Sequence, residues 1–160
     1  MTAQTQEMLE LEDPFGINGD FDVAAEIDRY QAIIADYRAG LLHAEKLKSC
    51  RLNFGTYGLR HHGEGLHMQR VKAPQGIVLA KQMRVLAEVA EKYPGSGVGH
   101  ITTREAIQFH YVKIEDVPAV LRLVNSVGLS SREACGNSVR NITTSPYSGI
   151  NPREAFDVLP

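Results

Sequence analysis

GHITTREAIQFHY, residues 99–111, sorts its side chains by parity. His100, Thr102, Arg104, Gln108 and His110 are even-numbered, whereas Ile101, Ile107, Phe109 and Tyr111 are odd-numbered. Successive strand residues point to opposite faces, so two strands joined by a turn near Glu105 would place donors on one side and apolar groups on the other. One face is then core and the other a polar floor. Arginine donates a planar fork of hydrogen bonds to carboxylates and oxyanions, so such a floor suits a large anionic ligand. The same alternation describes an ordinary sheet with one solvated face, and parity alone does not separate the two.

Upstream of this hairpin, LHMQRVKA (residues 66–73) reads as a strand with Met68, Arg70 and Lys72 on one side, closed by Pro74 and Gly76. Leu79, Met83, Leu86, Ala90 and Tyr93 then recur at helical spacing, and Pro94-Gly95 ends the helix. Downstream, Asp116 is the expected N-cap of a helix burying Val117, Val120, Leu121, Val124 and Val127, with Gly128 as its C-terminal cap. Strand, helix, hairpin, helix is the order of a split βαβ unit. The chain is therefore expected to be α+β, a ferredoxin-like half-domain with helices packed on an antiparallel sheet.

Further out, Val23, Ile27, Tyr30, Ile34 and Tyr37 form an apolar stripe from Asp22, and Gly40 stops it. A short helical piece follows at about His43–Ser49. CRLNFGTYGLRHHGEG (residues 50–65) reads as a glycine-punctuated loop with a strand at its start. Residues 1–21, acidic and containing Pro14, Gly16 and Gly19, read as a flexible arm. This divides the chain into an arm (1–21), a helical segment (22–50), the half-domain (51–130) and a segment rich in Ser, Thr, Asn, Gly and Pro (131–160). In that last segment Arg140 and Asn141 stand beside Gly136 and Asn137, a grouping suited either to an anion or to a plain polar connection.

The whole chain has 160 residues, 43% hydrophobic and 22% charged, which is ordinary for one globular domain. Seventeen basic against 19 acidic residues leave a net charge of −2, so no global field recruits nucleic acid or an anionic membrane, and any anion site must be local. No apolar run approaches the roughly 20 residues that span a bilayer, and MTAQTQEMLELED lacks a signal-peptide profile; a cytoplasmic location is expected. Cys50 and Cys135 are the only cysteines, far apart, too few for a four-thiolate site. They read as ordinary reduced thiols. His61, His62 and His67 lack a fixed ligand geometry and read as exposed or loop-bonding.

RLNFGTYGLR (51–60), HMQRVKAPQGIV (67–78), GHITTREAIQFHYV (99–112) and GLSSREACGNSVRNIT (128–143) resemble, in order and spacing, the N-terminal half of siroheme-dependent nitrite and sulfite reductases. The resemblance covers about Asp22 to Pro160. It implies a half-domain that in complete enzymes pairs with a related second half and with domains holding siroheme and a 4Fe-4S cluster. The implied reaction is the six-electron reduction of sulfite to sulfide or nitrite to ammonia. Ferredoxin or a flavoprotein reductase would donate the electrons. Residue by residue, Arg70 and Arg140 match the arginines that hold the substrate anion beside siroheme. Thr102, Thr103, Arg104, Gln108 and His110 match the segment at the siroheme carboxylates and rim, with Asn141 in the same neighbourhood. Lys72 is either a siroheme carboxylate partner or a solvated strand lysine. Tyr57, between Gly55 and Gly58, is expected to pack the loop, and His100 stands where some relatives carry arginine.

The cluster cysteines of that family are absent from this sequence, as are the lysines that add substrate contacts. The expectation is therefore an N-terminal part of a longer reductase, interrupted at Pro160 and inactive alone. A stand-alone tetrapyrrole-binding module is the alternative. The motifs do not separate sulfite from nitrite; sulfite is taken first, without a physical discriminator.

Overall fold

In the computed structural model, residues 22–59, 65–93 and 95–156 are described. The expected arm, His61, His62 and Pro94 lie outside them. Helix α1 (Val23–Arg38) starts where the Asp22 carboxylate accepts a hydrogen bond from Ala25 N at 3.0 Å. Its stripe buries Ile27, Tyr30 and Ile34, while Val23, at the frayed first turn, is 36% exposed. Gly40, at φ 74°, ends it: Gly40 N donates to Tyr37 O and Leu41 N to Asp36 O, the paired bonds of a Schellman cap.

Helix α2 (Ala44–Asn53) runs past the expected end at Ser49, so the segment from Cys50 begins as helix and not as strand. His43 caps it, Nδ1 accepting from Glu45 N. Leu47 alone of its ten residues is fully buried, which is why apolar periodicity could not mark its length. The chain turns at Gly55 into β1 (Thr56–Gly58). Then come β2 (Leu66–Val71), α3 (Ala80–Lys92), β3 (Gly99–Ile101), β4 (Ile107–Lys113) and α4 (Val117–Asn125).

The sheet order is β1-β2-β4-β3 with every neighbouring pair antiparallel. β2 and β3 are thus parallel to one another with β4 between them, which is the expected split βαβ arrangement. The fourth strand position is filled from the N-terminal side, by β1. The helices cover the face carrying Val71, Ile107 and Phe109, each at most 8% exposed, and supply Leu86, Val89, Val117, Val120, Leu121 and Val124 to the same core. α4 ends in a second Schellman cap, Leu129 N donating to Val124 O and Gly128 N to Asn125 O. Asp116 stands at the N-cap position of α4 but makes no side-chain cap, because a 3₁₀ turn over Ile114–Asp116 already leads into the helix.

Parity holds along β4 only as far as His110. His67 pairs with Val112 and Gln69 with Phe109, so His110 and Tyr111 together face the single residue Met68, a β-bulge with Tyr111 at φ 67°. Beyond it the faces exchange: Val112 is buried completely and Tyr111 is only partly covered, contrary to the expected core place of Tyr111. Ile101, also expected in the core, is 71% exposed at the end of the short edge strand β3. Leu79, at the N-cap of α3, and Met83 within it are each 52% exposed and Val89 is buried instead, since only the second half of the helix lies over the sheet.

Candidate functional site

On the sheet face away from the helices, Arg70 of β2 sits directly opposite Gln108 of β4, and Gln108 opposite His100 of β3. A polar row therefore crosses three strands, as the even-numbered side chains predict. With its amide oxygen turned inward, Gln108 accepts from Arg70 Nη2 at 2.5 Å and Nε at 3.0 Å. Arg70 Nη1 donates to Ala134 O at 2.9 Å. These three bonds fix the guanidinium plane and leave further N–H groups on Nη1 and Nη2 for a ligand.

The hairpin turn adds the next donors. Glu105 N donates to Thr102 O at 2.9 Å, and Ala106 N to Thr102 Oγ1 at 3.2 Å, with Glu105 in the left-handed region at φ 63°. This tight turn projects Thr103 and Arg104 outward, both exposed. The segment after α4 then folds back along the strand ends without forming a regular element. Lys72 N donates to Ser130 O at 2.8 Å and Gln75 N to Ile142 O at 2.8 Å, which lays residues 130–142 beside the turn. Arg140 and Asn141 enter the site on this strap.

Arg70, Thr102, Thr103, Arg104, Ala106, Gln108, Arg140 and Asn141 line one cleft of about 310 Å³. Among the described residues no carboxylate lines it. Arg140 Nε is buried without a hydrogen-bond partner among the described residues. A concave surface with three guanidiniums and two hydroxyls is complementary to several anionic groups at once. Among the expected site residues, Arg70, Thr102, Thr103, Arg104, Gln108, Arg140 and Asn141 converge here, while Lys72 and His110 do not line the cleft.

Lys72 lies just beyond β2. Burial pushes its pKa down, Glu133 pushes it back up and Arg132 lowers it further, so its charged neighbours are those of the strap. His110 is on the cleft face, edge-on to His100 with ring centroids 6.2 Å apart. Burial, then His100, then Arg70 hold its pKa below the usual imidazole value. These causes favour the neutral ring, which has one N–H to donate and one lone pair to accept. Among the described residues no three His, Cys, Asp or Glu side chains gather as metal ligands would. Cys50 and Cys135 are free thiols.

Gly55 is a feature the residue pattern marked only as a turn. It lies at φ 73°, and a Cβ there would come within 2.7 Å of both Arg70 O and Ser131 O. Arg70 N also donates to Gly55 O at 2.9 Å. The strand bearing Arg70 and the strap bearing Arg140 are thus drawn together over a position that admits no side chain. A closely packed backbone contact of this kind leaves no signal in sequence beyond the glycine itself.

The model of the nitrite/sulfite reductase ferredoxin-like half domain matches residues 59–127. Those residues belong to that family. The half domain holds β2, α3, β3, β4 and α4, and so carries Arg70, Arg104 and Gln108 but not Arg140. Similarity continues beyond it. The ferredoxin–nitrite reductase of Leptolyngbya laminosa is 39% identical over 107 residues, 67% of this chain and 21% of that protein. The chloroplastic enzyme of Zea mays is 38% identical over 106 residues, 66% of this chain and 19% of that protein. The assimilatory ferredoxin-dependent nitrite reductase of Haloferax mediterranei is 34% identical over 116 residues, 67% of this chain and 20% of that protein. This chain thus spans about a fifth of the length of the curated relatives it matches. The Mycobacterium tuberculosis NirA protein superposes with a TM-score of 0.65 at 24% identity, over 78% of this chain and 26% of that one, and shares the fold of the half domain.

Proposed function

We propose that this chain forms one wall of the cofactor and substrate pocket of a nitrite reductase dependent on siroheme and a 4Fe-4S cluster, acting as part of a longer polypeptide. The observation that carries the reading is the convergence of Arg70, Arg104 and Arg140 on one cleft that, among the described residues, no carboxylate lines. Siroheme carries many carboxylates and the substrate is an oxyanion, so both need fixed donors. The remaining N–H groups of Arg70 and the guanidinium of Arg140, which lines the cleft, are such donors. Bound siroheme, with its cluster, would relay the electrons of the donor and supply the metal at which the anion is reduced.

The chain's own part is binding and orientation. Arg70, locked by Gln108 and Ala134 O, and Arg140, on the strap, hold the anion and draw negative charge onto its oxygens. Arg104 and Thr103, exposed at the turn, reach the outer carboxylates, and Thr102 has its O–H left to donate after accepting from Ala106 N. Neutral His110 gives an N–H to the rim. Lys72 contributes from beyond the strand end. The cluster thiolates and the second half of the pocket come from elsewhere in the protein, residues 131–160 opening the cofactor domain, so the chain alone does not turn over. Nitrite is preferred to sulfite, and ferredoxin is the donor, because the relatives are named ferredoxin–nitrite reductases. A cytoplasmic setting is part of the same proposal.

Siroheme titration of the chain, followed by its absorption band, tests the reading. Arg70→Ala and Arg140→Ala are each expected to weaken binding about tenfold or more, the usual effect of losing a charged hydrogen-bond donor. Undiminished binding by the double variant would overturn it.

A further inference from the structure

Asn141 lines the cleft, yet its amide hydrogens are already committed. Nδ2 donates to Ala73 O at 3.0 Å and to Arg104 O at 2.7 Å. A primary amide has two N–H groups, and both are used on backbone carbonyls of two different elements. Ala73 follows β2, on the side that leads into the turn Pro74–Gly76, and Arg104 is in the β3–β4 turn. Asn141 Oδ1 is buried without a partner, so the amide has no exposed acceptor to offer a ligand. The one side chain therefore ties three pieces of chain together: the end of β2, the hairpin turn and the strap.

The geometry points to Asn141 as a positioning residue and not as a cofactor contact. Its two bonds set the turn that projects Arg104 and the strap that carries Arg140 at a fixed distance from Arg70. This inference rests on the proposed anion-binding role of the cleft, but its structural core can be read without any ligand. The neighbouring bond from Gln75 N to Ile142 O holds the strap one residue further on, so the clamp has two teeth.

Hydrogen exchange of the 160-residue chain, compared between wild type, Asn141→Asp and Asn141→Ala, tests it. Asn141→Asp preserves volume but replaces the double donor by an acceptor facing two carbonyls. The amides of Thr102, Glu105 and Ala106 in the turn, and of Gln75 at the strap, are expected to exchange on the order of tenfold faster or more in both variants, most in Asn141→Asp, as expected for losing two hydrogen bonds. The amides of Phe109 and Val112 in the sheet interior should be unchanged. A role confined to filling space predicts the opposite order, with Asn141→Asp silent; that result, or unchanged turn amides in both variants, overturns the inference. Should Asn141→Asp not fold, Asn141→Ala carries the same comparison against the sheet amides. Siroheme titration of the same proteins separates the two claims. Siroheme binding that is unchanged in Arg70→Ala and Arg140→Ala, while the turn amides still quicken in the Asn141 variants, removes the proposed function and leaves the positioning role standing. Weakened binding in step with faster turn exchange supports both.

Discussion

His67 shows how much one buried side chain can impose on the molecule. It is 8% exposed and its Nδ1 lies 3.1 Å from Gly65 O, so the neutral ring donates to that carbonyl. Burial first, then the nearby Arg51 charge, push its pKa down to about 4. The unfolded chain takes up a proton near pH 6.5, whereas the folded chain refuses it until about pH 4, so stability rises with pH between those values and falls on acidification. The linkage is worth on the order of 2–3 kcal/mol at most across that window. Denaturant unfolding at pH 7.5 and pH 4.5 should show this slope in wild type and a flatter one in His67→Gln. Equal slopes would mean the ring gains no proton on unfolding.

The same scale explains what could be read in advance. The shared face of Arg70 and Gln108 was legible from strand parity, whereas Arg140, on an irregular strap, was singled out by its polar neighbours and by the family resemblance and by no periodicity. The roles of Gln108 and Asn141 were not legible, since their partners are one another's neighbours in space: Gln108 serves Arg70, and Asn141 serves the carbonyls of Ala73 and Arg104. An amide in a motif looks the same whether it meets a ligand or a backbone.

At the scale of elements, the hairpin, the two flanking helices and α1 were legible from periodicity, and their ends from Gly40 and Gly128. What failed did so for local reasons. A bulge at His110–Tyr111 reverses the pleat midway along β4, and a single extra residue has no composition of its own. α2 buries little, so it has no stripe to count. The turn at Gly55 makes the strongest prediction here. Gly55→Ala would face an unfavourable φ and two carbonyl oxygens at 2.7 Å, for a loss of roughly 2–4 kcal/mol in denaturant unfolding. A loss below about 1 kcal/mol would show that β2 and the strap can move apart at this point. Glu105, also at positive φ, tests the opposite direction: its side chain packs on Gly76, so Glu105→Gly trades relief of backbone strain against lost contact and is expected to change stability by less than about 1 kcal/mol.

For the molecule as a whole, the net charge of −2 and the cationic cleft pull in different directions. Attraction of an anionic tetrapyrrole is local, confined to charges within about a Debye length, and should weaken as salt rises from 0.05 to 0.5 M, roughly. Titration of siroheme at both ionic strengths should show a fall of about tenfold or more, with the unfolding midpoint nearly unmoved, since the ion pairs among the described residues, such as Arg38 with Glu115, are largely exposed. Salt-independent binding would indicate that the cleft holds its ligand by apolar contact.

The strand order carries a consequence for the life of the chain. β1–β2 and β3–β4 join segments close in sequence, whereas the central β2–β4 seam joins segments separated by α3 and β3. Local pairings form quickly and distant ones wait for the costlier loop to close. Arg70 stands on one side of that seam and Gln108 on the other. Until the two hairpins zip together there is no row of donors to recognise anything, so on the proposed function a ligand cannot template this seam: its binding must follow the closing of β2 on β4.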